Sequence, residues 1–241
     1  MTELLFTTDS YLRSCDAEIV DVLEGGVVLD RTPFYPGGGG QPDDRGRLIL
    51  TDGSERTVTG MKRFEGRILH LLDGGVSGMA EGDRVHAVID WERRYQLMRT
   101  HTTLHIMSGV VFRDLGAPVT GGNIEPLRGR LDFELEHLDG ETVRTIEARI
   151  NEEIQAARPI EVKILPREEA FQIPDLIRTK VSLLPAGIEQ VRTVNIVGLD
   201  LQADGGTHVA NTSEVGRVRI PEYRSKGKGN KRIIVVVEDA D

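Results

Sequence analysis

The chain is poor in cysteine and has no long apolar run. Cys15 is the single cysteine among 241 residues, which excludes an intrachain disulfide and a cysteine-based zinc finger. No stretch of about 18 consecutive apolar residues occurs, so no transmembrane helix and no membrane partner are expected. The opening MTELLFTTDS has no basic segment ahead of an apolar one, and we expect no secretory signal. These absences together predict a cytoplasmic protein.

The chain also lacks positive charge overall, since 30 lysines and arginines face 39 acidic residues for a net charge of −9. This balance argues against broad coating of nucleic acid, and no DNA partner is expected. The charge reverses between Gly216 and Arg232, where Glu222 is the one acid. This stretch is expected to be either a solvated loop or a phosphate contact. Its seven basic residues are Arg217, Arg219, Arg224, Lys226, Lys228, Lys231 and Arg232.

The pattern of apolar residues changes near residue 90, which predicts two domains, 1–90 and 91–241. In the first domain, apolar and polar residues alternate, and glycines recur every eight to twelve positions. That pattern predicts a small β-barrel or sandwich without helices, and a β-barrel domain is the fold expected here. In the second domain, helical spacing predicts helices over 91–116 and 141–157, the latter stopped by Pro159.

The second domain also contains several strand-like segments, and the fold class predicted for the whole chain is therefore α+β. LPREEA, residues 165–170, has acids in what is expected to be the first turn of a short helix. Helices packed on a mostly antiparallel sheet are the expected architecture. The predicted strands are RLDFEL, IEVKIL, QVRTVNIV, GRVRI and RIIVVVE.

The segment HTTLH places His101 and His105 at positions i and i+4 of the first predicted helix. This spacing puts both imidazoles on one helix face, where they would bind a metal such as zinc in a bidentate arrangement. The alternative is a pair of histidines on the helix surface. The glutamate of an HExxH motif is absent, so a metalloprotease general base is excluded.

The segment DLQADGGTH carries a second group of polar residues about a hundred positions later. Asp200, Gln202 and Asp204 alternate as on one face of a strand. The following glycines permit a tight turn that brings His208 back toward Asp204. A third imidazole and a carboxylate would complete a tetrahedral metal site. The alternative is a helix cap or an Asx turn at Asp204.

A loop of four glycines, in FYPGGGGQPDDRG at 34–46, separates two strand-like segments. It has no GK[ST] sequence and does not lead into a helix, so it is neither a P-loop nor a dinucleotide-binding fingerprint. It is expected to be either a flexible hairpin loop or a site of close backbone approach.

Four segments taken in order resemble the AlaX family, which comprises free-standing relatives of the editing domain of alanyl-tRNA synthetase. The glycine loop also resembles a motif in the domain that precedes the editing module in the synthetase and in longer AlaX proteins. The resemblance covers nearly the whole chain. The four segments are MRTHTTLHIMSGVV, LPREEA, DLQADGGTHVANTSEVG and RSKGKGNKR.

The resemblance implies a trans-editing hydrolase that cleaves serine, and in some members glycine, from wrongly charged tRNA(Ala). It implies one Zn²⁺ per chain, with His101, His105 and His208 matching the family's histidine ligands. Asp204 stands where the family commonly has cysteine. Aspartate is an acceptable zinc ligand. It either binds the metal or turns away and leaves three histidines with an open coordination position.

The resemblance also suggests substrate contacts. Thr120 resembles a threonine of the family's amino-acid pocket, and Thr102 and Thr103 are alternatives within HTTLH. The glycine loop, through Gly39, Gly40 and Gln41, is assigned to substrate binding. The acceptor end of tRNA(Ala) is the expected partner of the Arg217–Arg232 stretch, and no oligomeric state is predicted.

Asp200 and Gln202 are the candidate catalytic residues, acting on a water or orienting a histidine. Zinc would activate a water or hold the substrate's amino group and hydroxyl, and both interpretations stay open. Two other functions also stay open: an RNA-binding module with a structural metal, and a metallohydrolase of small esters.

Overall fold

A computed structural model describes residues 2–177 and 187–239 of the protein. The chain divides into two compact units, Met1–Gly38 with Pro42–Tyr95 and Gly39–Gln41 with Gln96–Asp241. The first unit consists mainly of strands, and the second contains helices and sheets. Within the described ranges, no helix has both the length and the apolar character needed to cross a membrane.

The first unit consists of short strands joined by turns. Its strands are β1 (Glu3–Leu4), β2 (Ser14–Leu23), β3 (Gly26–Leu29), β4 (Arg31–Thr32), β5 (Gly46–Leu50), β6 (Glu55–Phe64), β7 (Arg67–Leu72) and β8 (Arg84–Ile89). Six of them pair antiparallel in the closed order β2-β3-β7-β6-β5-β8, and β1 pairs with β4 in parallel. The one helical piece before residue 91 in the described chain is a 3-10 turn at Leu5–Thr7.

The core of the first unit is formed by apolar residues that alternate with more exposed residues along its strands. In β8, Val85, Ala87 and Ile89 are buried, while Arg84 is exposed. Successive side chains of a strand point to opposite faces, so the alternating pattern sends every second residue inward. The inward residues of the other strands join the same core and include Ile19, Val27, Leu29, Leu48 and Val58.

A buried ion pair in the first unit joins Asp44, just after the glycine loop, to Arg94, near the start of the helix that begins at Trp91. The Arg94 guanidinium donates from Nε to both carboxylate oxygens of Asp44, at 3.0 and 2.9 Å, and a second nitrogen also contacts that carboxylate. It donates further to the carbonyls of Ser10 and Pro33. Both charged side chains are fully buried. The several hydrogen bonds offset the cost of removing these charges from water.

The second unit contains two antiparallel sheets and the longer helices. Its strands are β9 (Val119–Glu125), β10 (Arg128–Phe133), β11 (Ile160–Pro166), β12 (Gln190–Ile196), β13 (Asp200–Ala203), β14 (Arg217–Ser225) and β15 (Lys231–Glu238). One sheet has the order β14-β15-β10-β9 and the other β11-β12-β13, with every pair antiparallel. The prediction of a mixed fold with mostly antiparallel sheets is confirmed.

In the part of the chain that the structure describes, three helices accompany these strands: α1 (Trp91–Leu115), α2 (Gly140–Gln155) and α3 (Arg167–Ala170). A 3-10 turn at Thr212–Val215 precedes β14. The N-cap of α2 is Asp139, whose side chain accepts a hydrogen bond from the Thr142 amide at 2.8 Å. Such a cap satisfies one of the unpaired amides of the first turn. The predicted ends of α1 and α2 lie within two residues of the observed ones.

Two features of the second unit differ from what the sequence pattern indicates. All residues of α1 from 97 to 111 are buried, so the helix is enclosed rather than lying with one face on a sheet. Strand β9 was not predicted because Gly121 and Gly122 interrupt its pattern. A Cβ at Gly122 would lie 2.9 Å from the Leu131 side chain, so close packing against the neighbouring strand requires this glycine.

Candidate metal centre

Three histidines and one aspartate meet inside the second unit. His101 and His105 lie one turn apart on α1, and their ring centroids are 5.1 Å apart. Asp204 and His208 come from the irregular segment that follows β13. The His208 ring lies 4.3 Å from that of His101 and 4.7 Å from that of His105. One ligand atom from each of the four residues lies within 4.8 Å of all the others.

The Asp204 carboxylate faces the imidazoles. One of its oxygens lies 3.0 Å from Nε2 of His208, and the other lies 3.6 Å from Nε2 of His101. The first oxygen also accepts a hydrogen bond from the Gly206 amide at 2.8 Å. The sequence posed an Asx turn and a metal ligand as alternatives for Asp204; its carboxylate forms the Asx turn and also faces the imidazoles.

The outward nitrogen of each imidazole contacts a polar side chain. In every case the contact is made by Nδ1, so Nε2 is left toward the shared centre. Such outer partners fix the ring orientation and the tautomer of a ligating histidine. The partners are Gln41 Oε1 at 2.8 Å from His101, Asp200 Oδ2 at 3.2 Å from His105 and Thr102 Oγ1 at 3.1 Å from His208.

Burial controls the charge state of the group. It lowers the pKa of His101 well below its ordinary value and lowers the pKa of His208 to about 4. Burial acts to raise the pKa of Asp204, but the imidazoles of His101 and His208 outweigh it and hold that pKa well below its ordinary range. His101 and His208 are therefore neutral and Asp204 is ionised near neutral pH, and these are the forms that bind metals.

The donor set fits a zinc ion. Three imidazole nitrogens and one carboxylate oxygen are common zinc ligands, and bonds of about 2.0–2.1 Å in a tetrahedron separate the donors by about 3.3 Å. The 3.0 and 3.6 Å separations from Asp204 to His208 and His101 bracket that value. The alternative of two histidines on the helix surface is wrong, because His101 and His105 are 3% and 9% exposed.

Comparison with known proteins identifies the family. Over 239 residues the chain is 40% identical to the alanyl-tRNA editing protein AlaX-M of Saccharolobus solfataricus, across 99% of this chain and 100% of that protein. The chain belongs to the AlaX-M family. It is also 38% identical to the AlaX-M protein of Methanosarcina barkeri, over 99% of this chain and 100% of that one.

The AlaX-M chain also aligns with parts of alanyl-tRNA synthetases. It is 36% identical over 242 residues to the alanine–tRNA ligase of Pyrococcus furiosus, a match that spans 99% of this chain and 26% of the ligase. The profile of class II (A) tRNA synthetases matches residues 8–93. The profile of the threonyl and alanyl tRNA synthetase second additional domain matches residues 191–234. The resemblance derived from the sequence motifs is confirmed.

The two candidate catalytic residues of this AlaX-M protein lie behind His105. The Asp200 side chain is fully buried, and its Oδ2 lies 3.2 Å from Nδ1 of His105. Gln202 donates from Nε2 to the same oxygen at 2.7 Å and lies 3.4 Å from the Ser108 hydroxyl. Of the two roles expected for these residues, this arrangement corresponds to orienting a histidine.

Three of the side chains predicted to bind substrate differ in their burial and in their hydrogen-bond partners. Thr102 is buried on α1, where its hydroxyl contacts His208 and accepts from the Val209 amide at 3.3 Å. Thr120 lies on β9, half-buried, and its hydroxyl donates to Asn230 at 3.2 Å. Gln41 is buried against His101.

Gly39 and Gly40, the other two residues assigned to substrate binding, have left-handed backbone conformations, with φ of +56° and +88°. A Cβ on Gly39 would lie 3.8 Å from an Asp204 carboxylate oxygen. This part of the glycine loop therefore passes beside the candidate metal centre.

Acids from outside the basic stretch pair with two of its arginines in the fold. Glu222 remains the one acid within the stretch itself. Arg232 makes two 2.7 Å contacts with Asp132, and Arg219 lies 3.3 Å from Glu238. Asp132 lies 100 positions away along the chain, so counting neighbouring charges misses it. Lys226 and Lys228 are exposed beside the turn between β14 and β15.

Proposed function

We propose that this AlaX-M protein is a trans-editing hydrolase that cleaves the aminoacyl ester of mischarged tRNA(Ala). Ser-tRNA(Ala) is its chief substrate and Gly-tRNA(Ala) a second one. The observation that carries the proposal is the convergence of His101, His105, Asp204 and His208 in one buried group, in a chain whose relatives are named alanyl-tRNA editing proteins.

These four residues would hold one Zn²⁺ per chain. Bound zinc supplies a Lewis acid that polarises a carbonyl or activates a water near neutral pH. The chain's own contribution is to hold the ligands in the protonation state that metal binding requires. Asp200 and Gln202 act as positioning residues for His105, because Asp200 is buried behind its Nδ1.

Selection of serine over alanine requires recognition of one hydroxyl. A site that hydrogen-bonds such a group rejects the analogue without it by factors of about 10⁴–10⁵ in favourable cases. Thr120 is proposed for this contact, because the residue is half-buried and its hydroxyl is oriented by a hydrogen bond to Asn230. Replacing Thr120 by Val is then expected to reduce cleavage of Ser-tRNA(Ala) more than that of Gly-tRNA(Ala).

Binding of the tRNA acceptor end is proposed for the Arg217–Arg232 stretch. Lys226 and Lys228 are its exposed charges beside the turn, whereas Arg219 and Arg232 pair with acids of the same unit. Phosphate contacts make affinity fall as salt rises. Replacing both lysines by glutamine is expected to weaken tRNA binding and to reduce its dependence on salt.

The deciding experiment measures deacylation of Ser-, Gly- and Ala-tRNA(Ala) by the full chain. It is run with zinc, with a chelator, and with zinc restored after the chelator. We expect cleavage of the serine and glycine esters, sparing of the alanine ester, and activity that disappears and returns with the metal. His101→Ala serves as the ligand-deficient control.

Two results would contradict the proposal. Zinc-loaded protein that binds tRNA(Ala) and leaves Ser-tRNA(Ala) intact would indicate an RNA-binding module with a structural metal. Cleavage of small esters, with no effect of salt on substrate affinity, would indicate a metallohydrolase that does not use RNA.

A further inference from the structure

Gln41 is a buried glutamine that lies next to the metal centre without being one of its candidate ligands. It is 2% exposed, although it directly follows a loop of four glycines. Its side-chain oxygen accepts a hydrogen bond from the Thr207 amide at 3.1 Å, and its nitrogen donates to the Thr207 hydroxyl at 2.9 Å. The same oxygen lies 2.8 Å from Nδ1 of His101.

The backbone of Thr207 determines which way the Gln41 amide points. An amide N–H only donates, so the atom of Gln41 that faces it has to be the oxygen. The reversed orientation would bring two donors together at Thr207. The amide orientation therefore follows from a backbone group, independently of any choice made for the histidine.

The orientation of Gln41 in turn determines the tautomer of His101. Nδ1 lies within hydrogen-bond distance of an oxygen that offers only lone pairs, so Nδ1 carries the proton. A neutral imidazole has one proton, which leaves the lone pair on Nε2. That nitrogen lies 3.6 Å from the Asp204 carboxylate, on the side where the candidate ligands meet.

We propose that Gln41 is a positioning residue that sets the tautomer and ring orientation of His101 for metal binding. The inference rests on the metal centre of the proposed function. It assigns the glycine loop a specific role, which is to position the Gln41 side-chain amide against His101.

The backbone of the loop and its surroundings support this task. Gly37, Gly38, Gly39 and Gly40 all have positive φ, at +81°, +137°, +56° and +88°, and side chains other than glycine rarely adopt such a run. The Gly40 carbonyl accepts from the Ile124 amide at 3.0 Å, which anchors the loop next to Gln41. The backbone conformation of the glycine loop thus fixes the position of Gln41 and its side-chain amide.

The direct test is the tautomer of His101 in the metal-free protein, read from long-range ¹⁵N–¹H NMR spectra of the full chain. We expect the proton on Nδ1 in the wild type. A proton on Nε2 in the wild type would overturn the inference, and this measurement requires no variant that might fail to fold.

Variants test the consequence for the metal. Gln41→Leu removes the acceptor, and we expect a mixture of tautomers and a zinc affinity lower by about 10- to 100-fold. Gln41→Glu keeps an acceptor for Nδ1–H and for the Thr207 amide, and we expect it to retain both properties. Gln155→Leu, at the exposed end of α2, is the matched control and should behave as the wild type.

Zinc affinity is measured by competition with a chromophoric chelator, so no readout depends on ester cleavage. The inference is overturned if Gln41→Leu binds zinc as tightly as Gln155→Leu, or if Gln41→Glu loses as much affinity as Gln41→Leu. If the wild type shows the Nδ1 tautomer and binds zinc but cleaves no ester, the proposed function fails and this inference stands.

Discussion

Gly206 is the position at which the structure makes its sharpest prediction, because two neighbouring glycines lie in opposite surroundings. A Cβ at Gly206 would lie 2.2 Å from Cε1 of His101, 2.4 Å from its Nδ1 and 2.9 Å from Oε1 of Gln41. A Cβ at Gly205 would meet nothing within 4 Å. The same substitution, glycine to alanine, is thus expected to be harmful at one position and nearly neutral at the next.

The magnitude follows from the distances. Carbon atoms in contact sit at about 3.5 Å or more, so a 2.2 Å approach has to open by about 1.3 Å. Metal–ligand distances tolerate deviations of about 0.2 Å. Movement of either the His101 ring or the segment with Asp204 and His208 changes the spacing of the donors. We expect Gly206→Ala to lower zinc affinity by at least about 100-fold.

The assay is zinc affinity by chelator competition at neutral pH for the wild type, Gly206→Ala and Gly205→Ala. Circular dichroism of the metal-free proteins verifies that each variant is folded. Equal zinc affinity for the two variants would refute the reasoning, because it would mean that the packing of His101 against Gly206 does not hold the ligands in place.

Three further predictions concern buried ionisable groups. Asp200→Asn removes the charge behind His105 and should lower zinc affinity by about 10- to 100-fold in the same competition assay; wild-type affinity would argue against a positioning role. Asp44→Ala leaves the fully buried Arg94 guanidinium without its carboxylate, and denaturant titration should show a loss of about 3–5 kcal/mol in unfolding free energy; a loss below about 1 kcal/mol would contradict this. Burial lowers the pKa of His70 from 6.5 to about 4, so the unfolded state binds a proton at this residue more tightly than the folded state. The free energy of unfolding therefore falls by about 3 kcal/mol from this group as the pH drops from about 6.5 to 4. His70→Gln should lose correspondingly less stability than the wild type between pH 7 and pH 4, and an equal loss would refute the assignment.

The helices were largely predictable from the sequence because their signals are local. Apolar spacing up to residue 116 predicts α1, and apolar spacing followed by Pro159 predicts α2. The i, i+4 spacing of His101 and His105 places both imidazoles on one face of any helix. This half of the candidate metal centre therefore required no knowledge of the tertiary structure.

The other half of the candidate metal centre, Asp204 and His208, could be placed only with the family resemblance and the fold. Nothing in the spacing of about a hundred residues brings Asp204 and His208 to α1. Their residue types suggested that they complete a tetrahedral site, and the family motif supported this interpretation. Whether Asp204 faces the imidazoles was open in the sequence. In the fold its carboxylate points toward His101 and His208, held by a hydrogen bond from the Gly206 amide.

The roles around the centre were the least predictable. For Asp200 the residue type left two roles open, acting on a water or orienting a histidine, and for Thr102 it suggested substrate binding; in the fold each side chain lies behind a histidine. Asp132 removes Arg232 from the basic stretch across 100 positions of sequence. Such pairings depend on which strands become neighbours, and local periodicity carries no information on that.

The sequence by itself determined the family, the mixed fold with antiparallel sheets, the two long helices and the residue types of a metal centre. These properties follow from periodicity, caps and ordered motifs, which act over a few residues. The tertiary structure alone decided that α1 is enclosed, that Asp204 faces the histidines and that Gln41 lies against His101. Burial and hydrogen-bond direction depend on what the distant chain packs against each side chain, and only the completed fold specifies them.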